Sequence, residues 1–170
     1  MPCNKHCSLW PNAEDQAGYF RSRFFEPIPQ NGPHCVATTL AILSGRKPED
    51  FHDRVNTQDP RSWSDALRAD GMKLAYCPTD VRRLLNYQEE LLALDDLFTL
   101  SYYTSTSASV LLRDPDATGW LCGSHIVVMH RGLILDPATG EAHRADEHHA
   151  WQYHTKRIFR VVPSDHPFGL

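Results

Sequence analysis

Two β-rich apolar runs, Ile126-Val127-Val128-Met129 and Leu133-Ile134-Leu135, flank Arg131-Gly132, and they constrain this chain more than any other stretch. Such runs joined by a Gly-containing pair predict a β-hairpin with a two-residue loop. That loop length sets the register: His130 pairs with Leu133, and Val127 with Asp136. Side chains alternate along a strand, so His125, two residues before Val127, shares a face with Asp136 as its diagonal neighbour. A three-residue loop would put the two on opposite faces.

Other elements follow from periodicity and punctuation. Val36, Leu40 and Leu43 recur at helical spacing with the small Ala37 and Ala41, predicting a buried helix from Val36 to Ser44 capped by Gly45. A second helix is expected at Pro48, with Glu49 and Asp50 in its first turn, where the dipole favours acids. A third is expected from Trp63 to about Asp70, capped by Ser62 and ended by Gly71. Met72, Leu74 and Tyr76 alternate as a strand, Thr79 is a helix-cap candidate, and Glu89 to Leu97 reads as helical. Phe98, Leu100 and Tyr102 alternate again, Thr104 to Ser109 reads as loop, and Ile158 to Val162 is expected as a last strand before Pro163. Phe24 to Pro29 is an extended lead-in, since its two prolines exclude helix. Helices first and an antiparallel sheet second is an α+β order. Residues 1–23 are expected as a polar arm, and 24–170 as one domain.

A chain of 170 residues is long enough for one real core. The net charge of -4 argues against broad nucleic-acid binding, which needs a basic face. No run is apolar enough to span a bilayer, and Met1 to Trp10 lacks a signal-peptide core, so a cytoplasmic protein is expected unless a signal-less route carries it elsewhere. The odd count and loose spacing of the five cysteines, Cys3, Cys7, Cys35, Cys77 and Cys122, do not read as a disulfide framework.

One cysteine stands apart. Gln30-Asn31-Gly32-Pro33-His34-Cys35-Val36-Ala37 places Cys35 where an irregular loop meets an apolar helix. The thiolate is the nucleophilic form, and a helix N-terminus and a nearby imidazolium both favour it. Gly32 allows close backbone approach to a substrate carbonyl, and the Gln30 amide is placed to donate to an oxyanion. The competing reading of Cys35 is a buried structural cysteine. Cys77 reads as structural, and Cys122 as a weaker nucleophile candidate. Of ten histidines, His125 is singled out by its place at the head of an apolar strand after Gly123-Ser124. His148, His149 and His154 read as a solvated stretch. With Asp136 on one imidazole nitrogen, the other is left for the thiol. Asp114 is a rival acid, set in a turn signal.

The order Gln, Cys at a helix start, His on a strand and Asp on the next strand resembles the papain-like cysteine peptidase superfamily. In wording, Asn31-Gly32-Pro33-His34-Cys35, Ser124-His125-Ile126-Val127-Val128 and Leu135-Asp136-Pro137 are most similar to bacterial peptidases that clip double-glycine leaders. The five-residue step from Gln30 to Cys35 is more similar to the Josephin deubiquitinases, so either Gln30 or Asn31 is the oxyanion candidate. The resemblance implies a helical lobe bearing Cys35 packed on an antiparallel sheet bearing His125 and Asp136. It also implies a cleft between the two layers and a thioester acyl-enzyme. Asn31, Gly32, His34 and Ser124 are then candidates for contact with a protein or peptide substrate.

The same residues would serve peptide or isopeptide hydrolysis, glutamine deamidation or acyl transfer, and a peptide-binding module without turnover is a further reading. Cys3, His6 and Cys7 have ligand types suited to zinc but no fourth ligand nearby, so no metal and no cofactor are expected.

Overall fold

The computed structural model describes residues 9–12, 15, 18–104 and 123–170. Cys3, His6, Cys7, Asp114, Cys122 and the expected loop beyond Thr104 lie outside them. The architecture is α+β. Among the described residues, four α-helices, α1 (Cys35–Ser44), α2 (Glu49–His52), α3 (Pro60–Leu67) and α4 (Gln88–Leu94), accompany strands β1 (Met72–Cys77), β2 (Leu97–Tyr103), β3 (Ser124–His130), β4 (Leu133–Asp136), β5 (Glu141–Arg144) and β6 (His154–Pro163). The strands form one antiparallel sheet in the order β1-β6-β2-β3-β4-β5. No helix among the described residues is long and apolar enough to cross a membrane.

Helices and sheet are not segregated along the chain as expected. β1 comes between α3 and α4 and pairs with the last strand, closing the chain on itself. Its residues do not alternate between core and solvent either: only Tyr76 is exposed. The reason is that both faces of the sheet are covered. Leu74, Leu97, Ile126, Val128 and Val161 pack with α1 and α3 on one side. Ala75, Phe98, Leu100, Val127 and Ile158 pack with Leu9, Trp10 and α4 on the other. The expected polar arm therefore enters the core at Leu9 and Trp10, which are fully buried, and the Arg160 guanidinium lies 4.6 Å over the Trp10 ring. Arg160 in turn donates to buried Asp96 at 2.7 Å.

Caps decide the remaining differences. α1 has the expected left-handed Gly45 after it, but it begins one residue earlier than expected, at Cys35. α3 is capped by Asp59, whose carboxylate accepts from the Arg61 N–H, and Pro60 occupies its first turn. Ser62, the expected cap, instead donates to the Asn56 and Asp59 carbonyls inside the helix start. Thr79 caps no α-helix; the next helical turn is a 3-10 segment over Leu84–Tyr87, which leads into α4. α4 stops at Asp95, which takes φ 45°, so Leu97 opens β2 rather than ending a helix.

Two features carry the cysteine to the acid. Arg131 and Gly132 take φ values of 52° and 71°, the two left-handed positions of a type I′ turn, so the hairpin has its two-residue loop and His130 pairs with Leu133. The lead-in to α1 then docks on the turn after β4, where the Gln30 N–H donates to the Pro137 carbonyl at 2.7 Å. Gly140 (φ 69°) permits this approach, because a Cβ there would meet the Pro29 ring at 2.7 Å. Gly140→Ala combines a left-handed backbone with that clash, and urea unfolding should show a loss of at least about 1–2 kcal/mol. A variant as stable as the parent would show that the lead-in does not depend on this turn.

Candidate active site

α1 is buried along its whole length, because Val36, Leu40 and Leu43 pack into the core with small residues between them. It cannot turn to expose another face, so its first residue, Cys35, is held at one place beside the sheet. His34 precedes the helix without a side-chain capping bond, and its ring stacks on His52 of α2, centroids 4.1 Å apart. The first N–H groups of α1 therefore have no side-chain cap.

His125 is the second residue of β3, paired across to Tyr102 of β2. Its Nε2 lies 2.7 Å from Asp136 Oδ1, and its ring shares the cleft wall with the Cys35 thiol, close enough for the sulfur to raise its pKa. With Nε2 committed to Asp136, Nδ1 is left to face the sulfur. The Tyr102 ring meets the imidazole edge-on, centroids 5.8 Å apart, and restricts its rotation. Burial disfavours the His125 imidazolium, but the Asp136 and Cys35 hydrogen bonds and charges outweigh it and push its pKa up to about 9.

Asp136 is buried, with a side chain only 1% exposed, so each of its lone pairs needs a partner. Oδ1 also accepts from the Ala138 N–H at 2.9 Å, and Oδ2 lies 2.9 Å from His148 Nε2. Burial would raise the Asp136 pKa. The hydrogen bonds from His125, His148 and Ala138 overcome this and hold the carboxyl well below the usual carboxylate range.

His148 thus departs from the expected solvated stretch. Its Nδ1 accepts from the Ala150 N–H at 3.0 Å, which puts its proton on Nε2, aimed at Asp136. It forms the second histidine on one carboxylate. His149 next to it is exposed, and His154 is half-buried in β6. No local signal separates His148 from His149: both precede the buried pair Ala150-Trp151, yet only His148 is buried.

The thiol and imidazole open on a cleft of about 450 Å³ between the helices and the sheet. Its walls include His34, Cys35, Ser124 and His125, together with Val55, Trp63 and Ile126. Lys156 and Arg157 of β6 also line it, and sequence reasoning had not singled them out. Gln30, Asn31 and Gly32 are not on its wall. The Gln30 amide is turned back on its own loop, Nε2 donating to the Gly32 carbonyl at 3.1 Å, while Asn31 and Gly32 are exposed. Cys77 is fully buried away from the cleft, and burial pushes its thiol up to about 12. Asp136, His148 and His149 present ligand atoms within 4.8 Å of one another, but Asp136 and His148 already spend theirs on each other and on Ala150.

No protein-family model matches the chain, and no curated protein matches it either.

Two outcomes test this network. Removing His148 leaves a buried carboxylate oxygen unpaired. His148→Ala should cost about 1–3 kcal/mol in denaturant unfolding, and His148→Gln, which keeps a donor, should restore part of it. Equal stability of all three proteins would remove His148 from the network. The folded His125 keeps its proton up to about pH 9, whereas an unfolded histidine releases it near 6.5. Its contribution to stability is therefore complete below about pH 6.5 and is lost as pH rises through 9. Asp136→Asn should flatten that decline in a pH series of thermal unfolding.

Proposed function

We propose that this chain is a cysteine hydrolase of papain-like layout that cleaves a peptide or isopeptide amide through a thioester intermediate. The observation that carries this reading is a single imidazole bonded to the buried Asp136 and sharing an open cleft with the Cys35 thiol. A structural cysteine has no need of an oriented, acid-backed imidazole on an open cleft.

In this reading the Cys35 sulfur, as thiolate, attacks the amide carbonyl carbon, and the C=O electron pair moves to oxygen. The uncapped N–H groups at the start of α1 face the developing oxyanion, a role that takes the place of the Gln30 contact expected from sequence. The C–N bond then breaks. The His125 imidazolium gives its proton to the departing amine, leaving Cys35 acylated. Neutral His125 next takes a proton from water as the water attacks the thioester carbonyl. Loss of the thiolate releases a carboxylic acid and restores the ion pair. Asp136 keeps the ring oriented and its charge compensated throughout, and His148 does the same for Asp136. A pKa of about 9 on His125 suits the first step, which requires the imidazolium at neutral pH.

Cys35 should be the residue trapped when the protein meets a panel of electrophilic peptide and ubiquitin-like probes, as read by mass spectrometry. Iodoacetamide at pH 6 should modify it well before Cys77. Cys35→Ala and His125→Ala should abolish turnover with the fold intact by circular dichroism. Asp136→Asn should retain on the order of a hundredfold more activity than His125→Ala, since an orienting group is less critical than the base. Equal, slow labelling of both cysteines would favour a binding protein, and full activity in Cys35→Ala would end the assignment.

A further inference from the structure

The cleft carries more charge than hydrolysis of a generic amide requires. Lys156 and Arg157 are neighbours on β6, and regular alternation would send them to opposite faces of the sheet. The pairing of β6 with β2 breaks at this point: Ser101 pairs with Arg157 and Tyr102 with Thr155, leaving Lys156 opposite no residue. This is a β-bulge, and a bulge re-aims side chains. Both cations consequently line the same cleft as Cys35. Lys156 Nζ lies 3.4 Å from Ser124 Oγ, on the residue just before His125.

No aspartate or glutamate lines that cleft among the described residues, although acids outnumber bases in the chain, 21 to 17. Asp136 stands behind His125 and is sealed there. Among the described residues neither Lys156 nor Arg157 is paired with a carboxylate, whereas exposed arginines elsewhere, such as Arg82 and Arg144, are. Burial and the neighbouring Arg157 push the Lys156 ammonium down from its ordinary range, and the charge of Cys35 only partly opposes this. Lys156 and Arg157 are both half-buried on the cleft wall, and among the described residues Lys156 contacts only neutral groups, the Ser124 hydroxyl and the Tyr103 ring 5.9 Å away, so the charge of the pair is available to an anionic ligand.

We propose that Lys156 and Arg157 form an anion subsite, and that the substrate is a peptide carrying a carboxylate beside the bond presented to Cys35. This rests on Cys35 being the nucleophile. The carboxylate is either an Asp or Glu side chain or the free C-terminus of the peptide. The guanidinium offers a planar pair of donors and the ammonium a point charge, a combination suited to one carboxylate rather than to a long polyanion.

The test is the rate at which Cys35 is captured by matched peptide electrophiles. One pair differs only as Glu against Gln next to the reactive carbon. A second differs only as a free C-terminal carboxylate against its amide. In at least one pair the acid should react about tenfold faster, as expected for a charge-assisted contact, and the pair that discriminates identifies the source of the carboxylate. In Lys156→Gln/Arg157→Gln the ratio should fall towards one, and in Lys156→Arg it should persist. Ratios near one in both pairs with the wild-type protein would overturn the subsite, as would a ratio unchanged in the double variant. Iodoacetamide capture of Cys35, which carries no peptide, is read alongside. If it is fast while both ratios are flat, the nucleophile stands and only the subsite falls; if it is no faster than capture of Cys77, the nucleophile falls too.

Discussion

The site is organised on the buried carboxylate of Asp136. An ionised carboxyl out of water is expensive, and it is tolerated where enough donors surround it. Here the donors come from different parts of the chain: His125 from β3, Ala138 from the turn that follows β4, and His148 from the segment before β6. The same turn accepts the Gln30 N–H through the Pro137 carbonyl, which ties in the loop before Cys35. Each donor is therefore held in place by the cost of withdrawing it, and the cysteine is brought to the imidazole by backbone contacts rather than by its own chemistry.

The hairpin was legible because its signal is local. Loop length fixes register, and register fixes which side chains share a face. His130 and Leu133 pair as the two-residue loop requires, and His125 meets Asp136 as their shared face implies. α1 was legible for a similar reason, since an apolar helix with Gly after it needs no tertiary information. His148 was not. It sits among Asp146, Glu147 and His149, all exposed, and its burial depends on two short 3-10 turns that fold Trp151 into the core. β5 escaped notice because Glu141-Ala142-His143-Arg144 has no apolar alternation; it is recruited as an edge by the tight turn after Asp136.

The fold-level departures share one cause. Period-2 alternation reports a sheet with one wet face, and this sheet has a layer on each side. Residues such as Lys73 and Ala75, on which an alternating pattern places solvent, are buried. The second layer is closed partly by Leu9 and Trp10, which lie in a segment whose composition reads as a polar arm. A few large side chains in a polar stretch outweigh its average when a guanidinium, here Arg160, is present to cover the indole.

In the proposed reaction, bulge and relay would play complementary parts, one giving access and the other rigidity. Behind His125, Asp136 and His148 are closed to water, and the carboxylate has three hydrogen-bond partners, so the imidazole would meet the sulfur without searching for its orientation. Two strands along the same sheet, β6 adds to the wall where its ladder to β2 is interrupted, and there the cations face the open cleft. A substrate carboxylate at that wall would gain charge-assisted bonds while pressing its neighbouring amide towards Cys35, so binding energy remote from the reacting carbon would be converted into position. A regular strand could not do this: without the extra residue at 156, strand alternation would send one of the two cations to the other face of the sheet, away from the cleft.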